Sequence, residues 1–342
     1  MVEIMESGGV VMITIRGTGE LVRFLTRHLS EPSASVIISG ASGIGKSDAI
    51  QEVASQLKLP VWEERLYLMD IGEAKGLPDI DLEKLETRWT RPDWLPRRAC
   101  ILFFDDIHLC NEIIQGTLFE LLLCGTLHRH SIHKECRIVA CGNLGLEAAG
   151  ANKILAPIMD RFDIGIELEP TVDDWVVWAR AHQIQPRIVS FLLAEPGKLY
   201  TADPPPSQKF ASPRSWARLD RLMKRQGFGI DIAPGVVGPD AGAAIQNMWP
   251  LLSRPLEELL EMDCATAADE VILASALTQW DPTERILRRV LQLHPEPQLL
   301  YCRTVFRRMK WKEIEHFLEK VPAIESVLEN LIDVIGEEDN GG

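Results

Sequence analysis

Apolar positions change their rhythm near residue 170, and that change divides the chain into two kinds of structure. Before it, short β-branched and aromatic runs recur: Val36 to Ser39, part of Val61 to Met69, Ala99 to Asp105, Arg137 to Cys141 and Ile164 to Leu168. Runs without polar alternation suit parallel strands covered on both faces. Between them Ile50, Val53, Ala54 and Leu57 share one face of a helix starting at Lys46, and Ile113 to Leu123 repeats the same spacing. Leu21 to Leu29 reads as a short helix, Thr126 to His133 as a hairpin, and Pro157 to Phe162 as a helix end. Strands alternating with helices predict a doubly wound α/β sheet.

Beyond Pro170 the period is helical throughout. Helices are predicted at Asp173–His182, Pro186–Leu193, Pro213–Lys224, Gly242–Leu252, Pro255–Met262, Ala265–Thr278 and Thr283–Leu293, with two more to about Ile335. The expected organisation is an α/β core over 1–170, a helical lid over 171–262 and a helical C-terminal extension over 263–342. Its tail, GEEDNGG, has the composition of a disordered segment. Asp70 to Pro96, rich in Gly, Pro, Trp and charge, is expected to be irregular.

Two glycine-flanked features carry the candidate chemistry. Gly40, Ala41, Ser42, Gly43, Ile44, Gly45, Lys46 and Ser47 match GxxxxGK[ST] in full, after an apolar strand and at the opening of a helix. Such a loop turns backbone N–H groups onto phosphate oxygens, and the helix adds the positive end of its dipole. Lys46 would bridge the β- and γ-phosphates of ATP, and the Ser47 hydroxyl would coordinate Mg²⁺. Downstream, Ile101 to Phe104 runs into Asp105 and Asp106. Asp105 is the expected Mg²⁺ carboxylate, and Asp106 the group that orients or deprotonates the attacking water. A glutamate is usual at the second position. Aspartate falls about 1.5 Å short, so slow hydrolysis is expected.

The order of these features resembles the MoxR-type, dynein-related AAA+ ATPases. The residues that carry the resemblance are the phosphate loop, FFDDIH, EIIQGTLFELL, the hairpin GTLHRHSIHKECRIV and ACGN, over about 35–225. It implies a sensor-1 role for Asn143, which could otherwise cap a turn. LAPIMDRF resembles the family's LPxALLDRF, making Arg161 the arginine that reaches a neighbouring subunit's ATP; pairing with Asp160 or Asp163 is the alternative. ASPRSWARL resembles the sensor-2 motif, with Arg214 as the lid arginine; a plain first-turn helix residue is the alternative. The family usually has Asn where His108 stands. MDIGEAKGLPDID resembles the family's DLxGLP stretch, and Trp89 and Trp94 among arginines could form a contact surface or a packed loop.

The resemblance implies a homo-hexameric ring that hydrolyses ATP between subunits, moves the lid against the core, and remodels a protein client. A partner with a von Willebrand factor A-type domain is implied by the same route. A nucleic-acid translocase or restriction-type motor, a non-hydrolysing ATP-gated scaffold and a small-molecule kinase are the competing readings.

Composition narrows these. A net charge of −14, from 50 acidic and 36 basic residues, speaks against nucleic acid as the main partner. The longest apolar run, Val271 to Leu277, is far below the roughly 20 residues that cross a bilayer, and the acidic start MVEIMESGG is unlike a signal peptide. A cytoplasmic protein is expected. Seven cysteines without a CxxC pair read as reduced thiols. His128, His130, His133 and Cys136 lack zinc-finger spacing and read as a polar hairpin face. Arg303, Arg307, Arg308, Lys310 and Lys312, interleaved with Phe306 and Trp311, read as the solvated face of one amphipathic helix rather than a nucleic-acid site.

Overall fold

A computed structural model describes residues 3–7, 10–143, 154–202, 204, 207–307 and 309–329. The chain divides into two compact units, residues 2–171 and 172–342 with Met1.

The first unit is built on a seven-stranded sheet. In chain order its strands are β1 (Glu3–Ser7), β2 (Val10–Arg16), β3 (Ser35–Ser39), β4 (Val61–Glu64), β7 (Ile101–Phe104), β10 (Arg137–Gly142) and β11 (Ile164–Glu169). Two small hairpins, β5 (Pro78–Asp81) with β6 (Glu86–Trp89) and β8 (Thr126–Leu127) with β9 (His130–Ser131), lie outside it. The spatial order β1-β2-β11-β3-β10-β7-β4 makes six strands parallel and leaves β1 as an antiparallel edge.

Helices cover both faces, which is why the strands lack polar alternation. Val36, Ile38, Ile101, Phe103, Val139 and Cys141 point to one side. They pack with Leu21 and Leu25 of α1 (Thr18–His28) and Ile50 and Val53 of α2 (Lys46–Leu57). The alternate residues, Ile37, Leu102, Phe104, Ile138 and Ala140, pack with Ile114, Leu118 and Leu121 of α4 (Glu112–Cys124). The expected α/β core and following helical region are therefore present.

Several elements differ from the sequence reading. The hairpin β1–β2 extends the sheet where no strand was expected. Val61 to Met69 keeps only four residues as strand and turns into a 3-10 segment at Leu66–Leu68. Asp70 to Pro96 is ordered: α3 (Ile71–Lys75) is closed by a capping box in which Asp70 accepts from the Glu73 N–H and Glu73 accepts from the Asp70 N–H. The hairpin β5–β6 then presents Leu82 and Leu85 to solvent at 80% and 85% exposure.

The second unit is helical. It runs through α6 (Val172–Ala181), α7 (Pro186–Ala194), α8 (Pro213–Met223), α9 (Ala233–Val237), α10 (Pro239–Leu252), α11 (Leu256–Leu260), α12 (Ala267–Leu277), α13 (Glu284–Val290), α14 (Pro295–Phe306) and α15 (Trp311–Lys320). One apolar cluster extends from Trp175 to Val327 and includes Trp216, Leu259, Leu277 and Tyr301. Arg303 pairs with Asp173 at 3.2 Å, and Arg180 donates to the Thr304 carbonyl, so α14 is tied to α6. The residues expected on one basic helix instead straddle a junction. Phe306 ends α14 buried, Trp311 opens α15 at 61% exposure, and Arg308 lies outside the described residues, as does the tail from 330. Lys310 forms the junction cap, its N–H donating to Glu313. No helix among the described residues is long and apolar enough to cross a membrane.

Candidate nucleotide site

The phosphate loop leaves β3 through three glycines whose backbone needs no Cβ. Gly40 has φ 151°, and a Cβ there would lie 2.8 Å from both Ile44 Cδ1 and the Leu168 carbonyl oxygen. Gly43 and Gly45 have φ 80° and 99°, left-handed conformations that glycine adopts without strain. The loop is anchored by the Gly40 N–H donating to the Gly142 carbonyl at the end of β10. The following helix, α2, opens at Lys46 with no side-chain cap. An uncapped, twelve-residue helix start suits an anion.

Lys46 folds back over this loop, its Nζ donating to the Gly40 and Ala41 carbonyls at 2.7 and 2.8 Å. Burial pushes its pKa down, while Cys141, Asp105, Asp106 and Glu167 around it act in the opposite sense. Ser47 Oγ lies 3.2 Å from Asp105 Oδ2. A hydroxyl and a carboxylate brought together from α2 and the end of β7 form an all-oxygen pair, the donor chemistry that Mg²⁺ selects. The residues present therefore fit the ion. Asp105 Oδ1 in turn accepts the Asp106 N–H at 3.0 Å, which fixes the carboxylate at the strand end.

Asp106 stands in the left-handed region, φ 53° and ψ 40°, before a 3-10 turn at Ile107–Leu109. Aspartate tolerates this conformation better than most residues with a Cβ. Two residues on, His108 Nδ1 accepts the Asn143 N–H at 3.3 Å. This bond ties the acidic turn to the end of β10 and requires the proton on Nε2. Burial pushes the His108 pKa down, with Lys46 acting the same way and Asp106 and Asp105 opposing. Sequence reasoning noted His108 only as a departure from the family's Asn.

Other residues approach the site without a motif to announce them. Glu167 of β11 faces Lys46, and burial raises its pKa. Buried Gln115 of α4 donates to the Cys110 carbonyl and accepts the Leu155 N–H at 2.9 Å. It thereby holds the start of α5 (Ala156–Met159), the short helix that precedes Arg161. A lone glutamine inside an apolar helix pattern was its sole sequence signal.

Arg161 makes its contacts outside this cluster of polar groups. Arg161 Nη1 pairs with Asp160 at 2.9 Å and its guanidinium lies over the Phe119 ring, 5.3 Å from the centroid. The surface pairing anticipated as the alternative is thus present within the chain. Arg214 belongs to the second unit. It is an exposed first-turn residue of α8, after a capping box made by Ser212 and Ser215.

Nor do the hairpin histidines and Cys136 gather around one point. His128 stacks on Trp89 at 4.4 Å, His130 Nε2 meets the Trp89 carbonyl, and His133 Nδ1 accepts the Glu135 N–H. Cys136 Sγ lies 3.5 Å from Cys100 Sγ, both buried thiols. Trp94 is a core residue, its indole N–H donating to the Glu73 and Ala74 carbonyls, so only Trp89 of the two tryptophans is available to solvent.

No protein-family model and no curated protein matches the sequence. Similar solved structures include a mutant of RuvB from Thermotoga maritima, 15% identical over 81% of this chain and 83% of that one, with a TM-score of 0.43. NtrX from Brucella abortus in complex with ATP is 15% identical over 93% and 69% of the two chains, TM-score 0.41. The replication initiator DnaA bound to AMPPCP and single-stranded DNA is 14% identical over 93% and 91%, TM-score 0.38. At these scores the likeness transfers no role to any residue.

Proposed function

We propose that the chain is a P-loop ATPase of the AAA+ class, of the MoxR type, that works as a ring and remodels a protein partner. The observation that carries the ATPase reading is the convergence of Lys46, Ser47 and Asp105 on an uncapped helix start, with Ser47 Oγ 3.2 Å from Asp105 Oδ2. Loop N–H groups and Lys46 would bind the phosphates of ATP. Ser47 and Asp105 would hold Mg²⁺, which when bound neutralises charge on the phosphate oxygens. Asp106 is the group for the attacking water, and Asn143 aligns it, with His108 fixing the Asn143 backbone.

The ring, the client and a partner with a von Willebrand factor A-type domain rest on the motif resemblance alone, as do the roles of Arg161 and Arg214. In this proposal Arg161 exchanges Asp160 for the γ-phosphate of a neighbouring subunit's ATP, so that each site is completed by the next copy. A cytoplasmic location accompanies the same reading.

Asp106 supports a second reading, an ATP-gated scaffold that binds but barely hydrolyses. Its carboxylate sits one methylene nearer the backbone than a glutamate's would. Steady-state turnover and ATP affinity decide between the two. The ATPase reading expects measurable hydrolysis that falls by about 100-fold or more in Lys46→Ala and in Asp105→Ala. Tight ATP binding with no turnover in the wild type would select the scaffold, and no ATP binding would sink both.

A further inference from the structure

On the side of the sheet away from the phosphate loop, where β7 and β10 begin, the first unit carries a second cluster of positive charge. A cleft of about 260 Å³ is lined by Arg91, Pro96, Arg97, Ser131, Ile132 and His133. Arg91 lines it and is held by three hydrogen bonds. Nη1 donates to the Ser131 carbonyl at 2.9 Å, and Nη2 to the Leu95 and Pro96 carbonyls at 3.1 Å. These bonds splice the segment after β6 to the β8–β9 hairpin, but they satisfy the guanidinium with neutral oxygens. The Arg91 Nε is buried without a hydrogen-bond partner.

Arg97 is exposed beside it; burial pushes the Arg91 pKa down, and the nearby Arg97 charge acts in the same sense. Neither guanidinium has a carboxylate partner among the described residues. His133 adds a third donor to the lining. Its Nδ1 accepts the Glu135 N–H, which leaves the proton on Nε2.

In a chain of net charge −14, two neighbouring arginines with no carboxylate partner among the described residues make a local excess of positive charge that an anion would offset. We propose that the Arg91–Arg97–His133 cleft binds a phosphate group, separately from the nucleotide site. Phosphate is favoured over carboxylate by charge and shape. A phosphate near pH 7 carries about −1.5 to −2 and several acceptor oxygens, enough for two guanidiniums, where a carboxylate carries a single charge. Because Arg91 and His133 bridge the insert and the β8–β9 hairpin, an occupant would cross-link the two surface elements.

Arg97→Ala is the decisive variant, since Arg97 is exposed and has no side-chain hydrogen bond or ion pair among the described residues. Inorganic phosphate is titrated by calorimetry at fixed ionic strength against Lys46→Ala, which removes the phosphate loop's contribution, and against Lys46→Ala with Arg97→Ala. The proposal expects a site that survives in Lys46→Ala and weakens at least tenfold when Arg97→Ala is added, with partial recovery in Arg97→Lys. A phosphoserine peptide binding more than tenfold tighter than free phosphate would assign the group to a partner chain; equal binding would assign free phosphate. No site in Lys46→Ala, an affinity indifferent to Arg97, or malonate binding as well as phosphate would overturn the proposal.

Discussion

In the proposed ATPase, Asp106 is where a single methylene would set the rate. The neighbouring carboxylate of Asp105 is fixed by the Asp106 N–H and by Ser47, whereas Asp106 must reach outward from a left-handed turn with the shorter side chain. Asp106→Glu is expected to raise kcat by about tenfold or more, since positional errors of this size are costly in rate. Unchanged or lower turnover would mean that the backbone already compensates. His108 gives a pH signature at the same scale. Its folded-state pKa is depressed by burial, so near and below about pH 6.5 the unfolded chain's histidine takes up a proton more readily than the folded one. The unfolded state then binds more protons, and stability falls as pH drops through that window; above it His108 contributes no slope. Denaturation midpoints from pH 7.5 to 5 should fall less steeply in His108→Asn than in the wild type, and identical slopes would remove His108 from the account.

Among elements, the strand–loop–helix unit was readable because its physics is local. An apolar run, three glycines needing positive φ and a helical period beginning at Lys46 leave little freedom. The edge hairpin β1–β2 was missed because β2 gains its place by pairing Ile13–Arg16 with Ile166–Glu169 of β11, a partner that no local window contains. The insert was misjudged for a different reason: Asp70 and Glu73 spell a capping box, yet the Gly, Pro and charge around them hid it. Arg161 was legible as a residue but not as a contact, since Phe119 lies 42 positions away. In the helical unit the tight packing of α9 on α10 depends on Gly242, where a Cβ would sit 2.4 Å from Pro234 Cα and N. Backbone cannot yield as a side-chain tip can, so Gly242→Ala should cost about 1–3 kcal/mol in urea denaturation. A loss below a few tenths would mean that α9 moves freely.

For the whole molecule, the open point is whether one chain forms a complete enzyme. Lys46, Ser47 and Asp105 come together within a single core, whereas the Arg161 guanidinium is occupied by Asp160 and Phe119 and supplies no charge to that cluster. On the proposed reading such a site would bind ATP within one chain and take a further positive group from a neighbouring copy to hydrolyse it. The most direct test is specific ATPase activity as a function of protein concentration, for the wild type, Arg161→Ala and an equimolar mixture of Arg161→Ala with Lys46→Ala. Rising specific activity in the wild type, near-complete loss in each single variant and partial recovery in the mixture are predicted. In the mixture an intact Arg161 from one copy serves an intact phosphate loop in another. Specific activity independent of concentration, or full activity in Arg161→Ala, would contradict a shared site.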